Sequence, residues 1–104
     1  MSTDARLLLV FFTSRRSGPA RRMESLLAHI ARKERDGLLV KRVDVDERPD
    51  LARRFRVAAV PALVLVEGQR VVATLEGRAT APKIETMLDA HLRRPATAAT
   101  AATA

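Results

Sequence analysis

The sequence predicts an α/β fold, a mixed sheet with helices on both faces and elements in the order β-α-β-α-β-β-α. Three observations carry that prediction. Residues 6–13, "RLLLVFFT", form a nearly continuous apolar run containing Val and Phe, the pattern of a strand buried on both faces of a sheet. The turn residues Ser17-Gly18-Pro19-Ala20 follow and open onto apolar positions at helical spacing. Further on, two short β-prone runs at residues 62–66 and 71–75 are joined by Glu67-Gly68-Gln69-Arg70, the spacing of an antiparallel hairpin. Alternating strands and helices ahead of that hairpin imply parallel pairs joined by right-handed crossovers.

The first run should be the central strand. Pro19 suits the first turn of the helix behind it, where its missing N–H costs nothing, and Ser17 or Gly18 can cap that turn. Met23, Leu26, Leu27 and Ile30 then give one apolar face to a single helix over residues 19–35, which Asp36-Gly37 ends. Residues 38–45 read as the second strand. A short helix starting near Pro49 should bury Leu51 and Phe55, and Asp46 or Glu47 is placed to help start it. After the hairpin, Thr80 is the expected cap and Pro82 the first-turn residue of a last helix burying Ile84, Met87, Leu88 and Leu92.

One domain over residues 1–94 accounts for all of this. The remaining residues 95–104, "PATAATAATA", hold no large apolar side chain to anchor them and are expected to be a disordered tail. At 47% hydrophobic, the 104-residue chain can bury a core without metals or disulfides. Its cysteine count of zero removes disulfides, zinc–thiolate sites and thiol nucleophiles from consideration. No apolar run reaches the roughly 20 residues of a membrane span, and the N-terminus lacks the features of a signal peptide, so a cytoplasmic protein is expected.

The net charge is +7, and all the basic residues except Lys33, Lys41 and Lys83 are arginine. Such a surface favours acidic partners and acts mainly on encounter rates. A compositional bias toward Arg and Ala would produce the same charge without a partner. Aromatics make up 3% of the chain, all of them Phe, which leaves no stacking platform for single-stranded nucleic acid. No helix-turn-helix or RNA-binding signature accompanies the arginines, so nucleic acid is not the expected partner. His29 and His91 fall on different helices with no carboxylate motif beside them, and no metal site is assigned. Arg53, Arg54 and Arg56 read as a solvated face.

The order of elements and four short motifs resemble the thioredoxin-like superfamily, without the additional N-terminal strand and helix of full thioredoxins. The motifs are "RRSGPA" in the place of Trp-Cys-Gly-Pro-Cys, "VDVDERP" after the second strand, "VAAVPALVLV" at the cis-proline loop, and "LEGRAT" where a glycine lines the substrate groove. Ser17 and Pro61 stand 44 residues apart, a separation that fits the family without a gap. The resemblance places Ser17 at the nucleophilic cysteine and Ala20 at the resolving one. It also places Phe11 at the buried acid and Arg16 at the tryptophan before the motif. Thiol–disulfide exchange needs a thiolate attacking sulfur, so the resemblance implies a redox-inactive domain with the vestigial motif Ser17, Gly18, Pro19 and Ala20 and no cofactor.

What the family likeness implies instead is protein binding through the remnant of the substrate groove. That groove comprises Arg16, Ser17, Gly18, Pro19, Ala58, Ala59, Val60, Pro61, Glu76, Gly77 and Arg78, with Pro61 in the cis form. Arg15, Arg16, Arg21 and Arg22 are the anion-binding candidates, because four cations around one helix N-terminus work against its dipole. The expected partner is a protein or an acidic peptide segment, with a homodimer through the groove face as a further option. The alternative is thiol-related enzyme chemistry, a glutathione-type thiol held by the Ser17 hydroxyl, or an inherited role in redox homeostasis. The simplest account of Ser17 is a helix cap worth about 1 kcal/mol.

Overall fold

The structure, a computed structural model, describes residues 7–92; the tail expected over residues 95–104 lies outside them. Eight elements run in order: β1 (Leu7–Thr13), α1 (Gly18–Arg22), α2 (Glu24–Lys33), β2 (Leu38–Asp44), α3 (Pro49–Arg54), β3 (Ala62–Glu67), β4 (Arg70–Glu76) and α4 (Ala81–Leu92). The four strands form one sheet in the order β2-β1-β3-β4. β1 pairs in parallel with β2, and β3 runs antiparallel to both β1 and β4. The mixed sheet, the hairpin and the central position of β1 agree with the sequence reading. No helix among the described residues is long and apolar enough to cross a membrane.

Strand alternation sends side chains to two different cores. Leu9 and Phe11 of β1 join Leu63 and Leu65 of β3, and these meet Met23, Leu27 and Ile30 together with Ile84 and Leu88 of α4. Val10 and Phe12 point the other way with Ala62, Val64 and Val66, and Leu51 and Phe55 pack on them. Helices therefore cover both faces, three segments on the first and α3 on the second. The Phe12 and Phe55 rings lie 5.8 Å apart and tilted by 56°, within the range of favourable aromatic pairs.

The helix expected over residues 19–35 is in fact two segments. At Met23 the backbone N–H bonds back three residues, to the Ala20 carbonyl at 3.1 Å. A bond of that reach tightens the turn and interrupts the α-helical ladder, and it leaves Met23 inside the core at 5% exposure. The start of α3 also differs from expectation. Its cap is Arg48, which makes no side-chain capping hydrogen bond; of the acids expected there, Asp46 bonds Ser14 and Glu47 pairs with Arg15. Asp44 Oδ1 accepts from the Asp46 amide at 2.8 Å, and Asp46 Oδ2 accepts from the Ser14 hydroxyl at 2.7 Å.

Past its C-terminus α3 closes with paired reverse bonds, Val57 N–H to the Ala52 carbonyl at 2.8 Å and Arg56 N–H to the Arg53 carbonyl at 3.0 Å. That closure requires a left-handed residue, usually glycine; here Arg56 takes it, with φ 59°.

Candidate functional site

Register brings three loops to one end of the sheet. Phe12 pairs with Ala62 and Ala62 with Glu76, so the loop after β1, the loop before β3 and the loop after β4 emerge side by side. The Val60–Pro61 peptide bond is cis. Gly77 reaches back across the end of the sheet, its N–H donating to the Pro61 carbonyl at 2.8 Å. A φ of 87° there is the left-handed conformation that glycine adopts freely, which explains the residue at that turn.

Ser17 caps α1 with an extended backbone, φ −101° and ψ 107°. Its Oγ accepts from the Ala20 N–H at 3.1 Å while its carbonyl accepts from the Arg21 N–H at 3.0 Å. Pro19 occupies the first turn, where no intrahelical partner is lost. Ala20 is fully buried beneath the motif, and its side chain has no polar atom. Ser14 fixes the approach to this turn. Its Oγ accepts from the Arg16 N–H at 3.1 Å and donates to Asp46, tying the loop after β1 to the loop after β2. The sequence reading missed that strut, whose signal was a small polar residue facing a strand-end Asp cluster.

The four arginines do not act as one patch. Arg15 turns to Glu47, 3.4 Å away on the exposed surface. Arg22 folds back over the motif, its guanidinium Nη2 only 3.7 Å from where a Cβ on Gly18 would lie. Arg21 and Arg22 line a polar cleft of about 390 Å³ with Gly18 and Glu24. Arg22 also borders a second cleft, about 410 Å³, that runs between Pro19, Met23 and Leu26 on one side and Arg78, Ala79 and Thr80 on the other.

Within the expected groove, Arg16, Gly18, Ala58, Ala59, Glu76, Gly77 and Arg78 are exposed, Ser17, Pro19 and Val60 are half-buried and Pro61 is buried. The second cleft joins Pro19 and Arg78 from that set but takes its apolar floor from Met23 and Leu26, which the sequence reading assigned to the core alone. Ala58, Ala59 and Val60 are not among its walls. Chemically the arrangement offers two arginines, Arg22 and Arg78, lining one cleft with apolar residues, suited to a carboxylate attached to an apolar or extended chain. Among the described residues no group of three His, Cys, Asp or Glu is placed to hold a metal ion.

Comparison with known proteins agrees with this geometry. The sequence profile of the thioredoxin family matches residues 1–90. The chain is 32% identical over 81 residues to the thioredoxin of Alicyclobacillus acidocaldarius, covering 78% of this chain and 77% of that one. It is 34% identical over 70 residues to the bifunctional thioredoxin reductase/thioredoxin of Mycobacterium leprae, where the match spans 67% of this chain but 15% of the larger protein. Among solved structures, the germline-specific thioredoxin Deadhead of Drosophila melanogaster superposes with a TM-score of 0.79 at 30% identity, covering 85% of this chain and 83% of that one. A single-site mutant of the Halobacterium salinarum thioredoxin gives a TM-score of 0.78 at 26% identity, covering 86% of this chain and 78% of that one. With its sheet order, its cis-proline loop and its profile match in agreement, this cysteine-free chain belongs to the thioredoxin family.

Proposed function

We infer that the protein is a non-catalytic binding module that receives an acidic, extended segment of another protein beside the vestigial Ser17-Gly18-Pro19-Ala20 motif. The supporting observation is the cleft that Arg22 and Arg78 line together with the apolar Pro19, Met23 and Leu26. Charge-assisted bonds from a guanidinium to a carboxylate are roughly twice as strong as neutral ones and are directional, so an Asp or Glu side chain is the natural occupant. The exposed backbone ahead of Pro61 offers strand-like hydrogen bonds to the same segment. Thiol–disulfide exchange by this chain's own side chains lacks its essential atom, since the sequence contains no cysteine.

Two measurements test this reading. In an insulin-reduction assay with dithiothreitol, the protein should give the buffer rate, and turnover above it would overturn the non-catalytic assignment. In fluorescence anisotropy with a labelled Asp/Glu-rich peptide, Arg22→Glu and Arg78→Glu should each weaken binding at least tenfold; unchanged affinity in both variants removes the cleft as the site. A thermal shift with glutathione that Ser17→Ala abolishes would favour a thiol-binding role for the serine instead.

A further inference from the structure

The two edges of the sheet are built differently. β4 pairs with β3 through a register irregularity at Leu65/Val66, whereas β2 pairs with β1 residue for residue from Leu7↔Leu38 to Thr13↔Asp44. Bulges and twists protect an edge from pairing with other chains, and a long regular edge lacks that protection. Among the described residues no strand lies on the outer side of β2.

Both faces beside that edge are unfinished. On the α3 face Leu39 is 43% exposed. On the opposite face a cavity of about 200 Å³ lies between α2 and β2, walled by Phe11, Leu27, Ala28, Ala31 and Val40 and bounded by the Glu24–Arg42 ion pair at 3.4 Å. A strand added about 4.8 Å beyond β2 would send alternate side chains to these two places. One set would reach the cavity beside Val40, and the other would lie against Leu39 and Lys41.

We propose that the outer edge of β2 is a second docking site, which accepts an extended strand of a partner protein with apolar residues at alternate positions and a carboxylate opposite Lys41. Charge selects this occupant. Lys41 is exposed and meets no carboxylate among the described residues. A second copy of the chain is disfavoured, because antiparallel pairing of β2 with itself about its centre sets Lys41 against Lys41, and like charges directly across strands repel. An acidic strand reverses the sign of that term, and backbone hydrogen bonds along β2 supply sequence-independent affinity. The site lies on the edge of the sheet, apart from the Arg22 cleft, so the two can be tested separately.

The experiment is a random heptapeptide display selection on the full 104-residue chain, followed by anisotropy with the enriched peptide made synthetically and labelled. Expected are peptides with alternating apolar residues and one Asp or Glu, binding at least tenfold more weakly to Lys41→Glu and to Val40→Asp. Lys41→Glu should recover affinity when the peptide acid is changed to Lys, and amide exchange in β2 should slow on binding. Because Val40→Asp could unfold the protein, the exposed Lys41→Glu variant, checked by circular dichroism, carries the decision. No enrichment, equal affinity for Lys41→Glu, or protection appearing at residues 17–22 in place of β2 overturns the proposal; the last outcome would leave the Arg22 cleft standing.

Discussion

The two faces of the sheet are covered very unequally. On one, α1, α2 and α4 contribute Ala20, Leu27, Ile30, Ile84 and Leu88 as buried residues. On the other, the six-residue α3 buries none of its own side chains, and every fully buried member of that core comes from β1 or β3. Exposed Leu39 and Val71 belong to the two edge strands. Apart from the cavity beside Val40, the first face is a packed core that sets stability, and the second is a thin layer whose contacts are half-open. The candidate cleft rests on the first face, where Met23 lies at 5% exposure beneath it, so its geometry is held by the best-packed part of the molecule.

Truncation on each face gives the sharpest contrast. Leu27→Ala empties a site that is 2% exposed and should cost about 2–5 kcal/mol in urea unfolding, since the surrounding core relaxes only partly. Leu51→Ala, on the half-buried surface of α3, should cost less than about 2 kcal/mol. Equal losses would break the distinction between the faces.

A gain is expected at the end of α3. Arg56 holds a left-handed conformation that costs an L-residue about 1–2 kcal/mol, while glycine adds chain entropy worth roughly 0.5–1 kcal/mol to the unfolded state. Arg56→Gly should therefore raise stability by about 0.5–1 kcal/mol, visible as a higher urea midpoint. A lower midpoint would show that the Arg56 side chain supports the thin face in a way its backbone strain hides.

Ser17→Ala removes the acceptor for the Ala20 N–H and should cost about 1 kcal/mol, with Ser17→Gly milder. The smallest effect concerns Arg48 and Asp50 at the start of α3, bonded at 2.9 and 3.1 Å. The hydrogen bond from Arg48 holds the Asp50 carboxyl at about 2, below its usual 3.8. With the folded value lowered, the stabilisation is fully present above the usual carboxylate value and disappears as pH falls through about 2. Both groups are fully exposed, so the contribution is small: Asp50→Asn should lower the thermal midpoint at most slightly at neutral pH in moderate salt, and that difference should vanish as pH falls through about 2. A clear loss at neutral pH would give α3 more electrostatic support than this geometry allows.

Much of this was legible in the chain itself. The apolar run of β1, the Glu67–Arg70 turn and the Gly-Pro punctuation after Ser17 each act through local physics, and each element formed where its pattern placed it. The break at Met23 was not legible, because Met23, Leu26 and Leu27 keep helical spacing on both sides of it and only the bond to Ala20 shows the tightened turn. Capping by Ser17 was readable from residue type and position. The choice of Asp46 by Ser14 was not, since the two are brought together by the parallel pairing of β1 with β2 and not by anything local to either.

By itself the sequence determined the fold class, the strand order near the hairpin and the lack of a cysteine thiol, because hydrophobic period, turn residues and composition are properties of the chain. Tertiary structure alone decided which arginines face a common cleft. Arg15 and Arg22 look equivalent in "RRSGPARR", yet one turns to Glu47 while the other lies over Gly18 and lines a cleft shared with Arg78. The direction of a long, flexible, charged side chain is set by partners that only folding brings within reach, and sequence spacing carries no record of them.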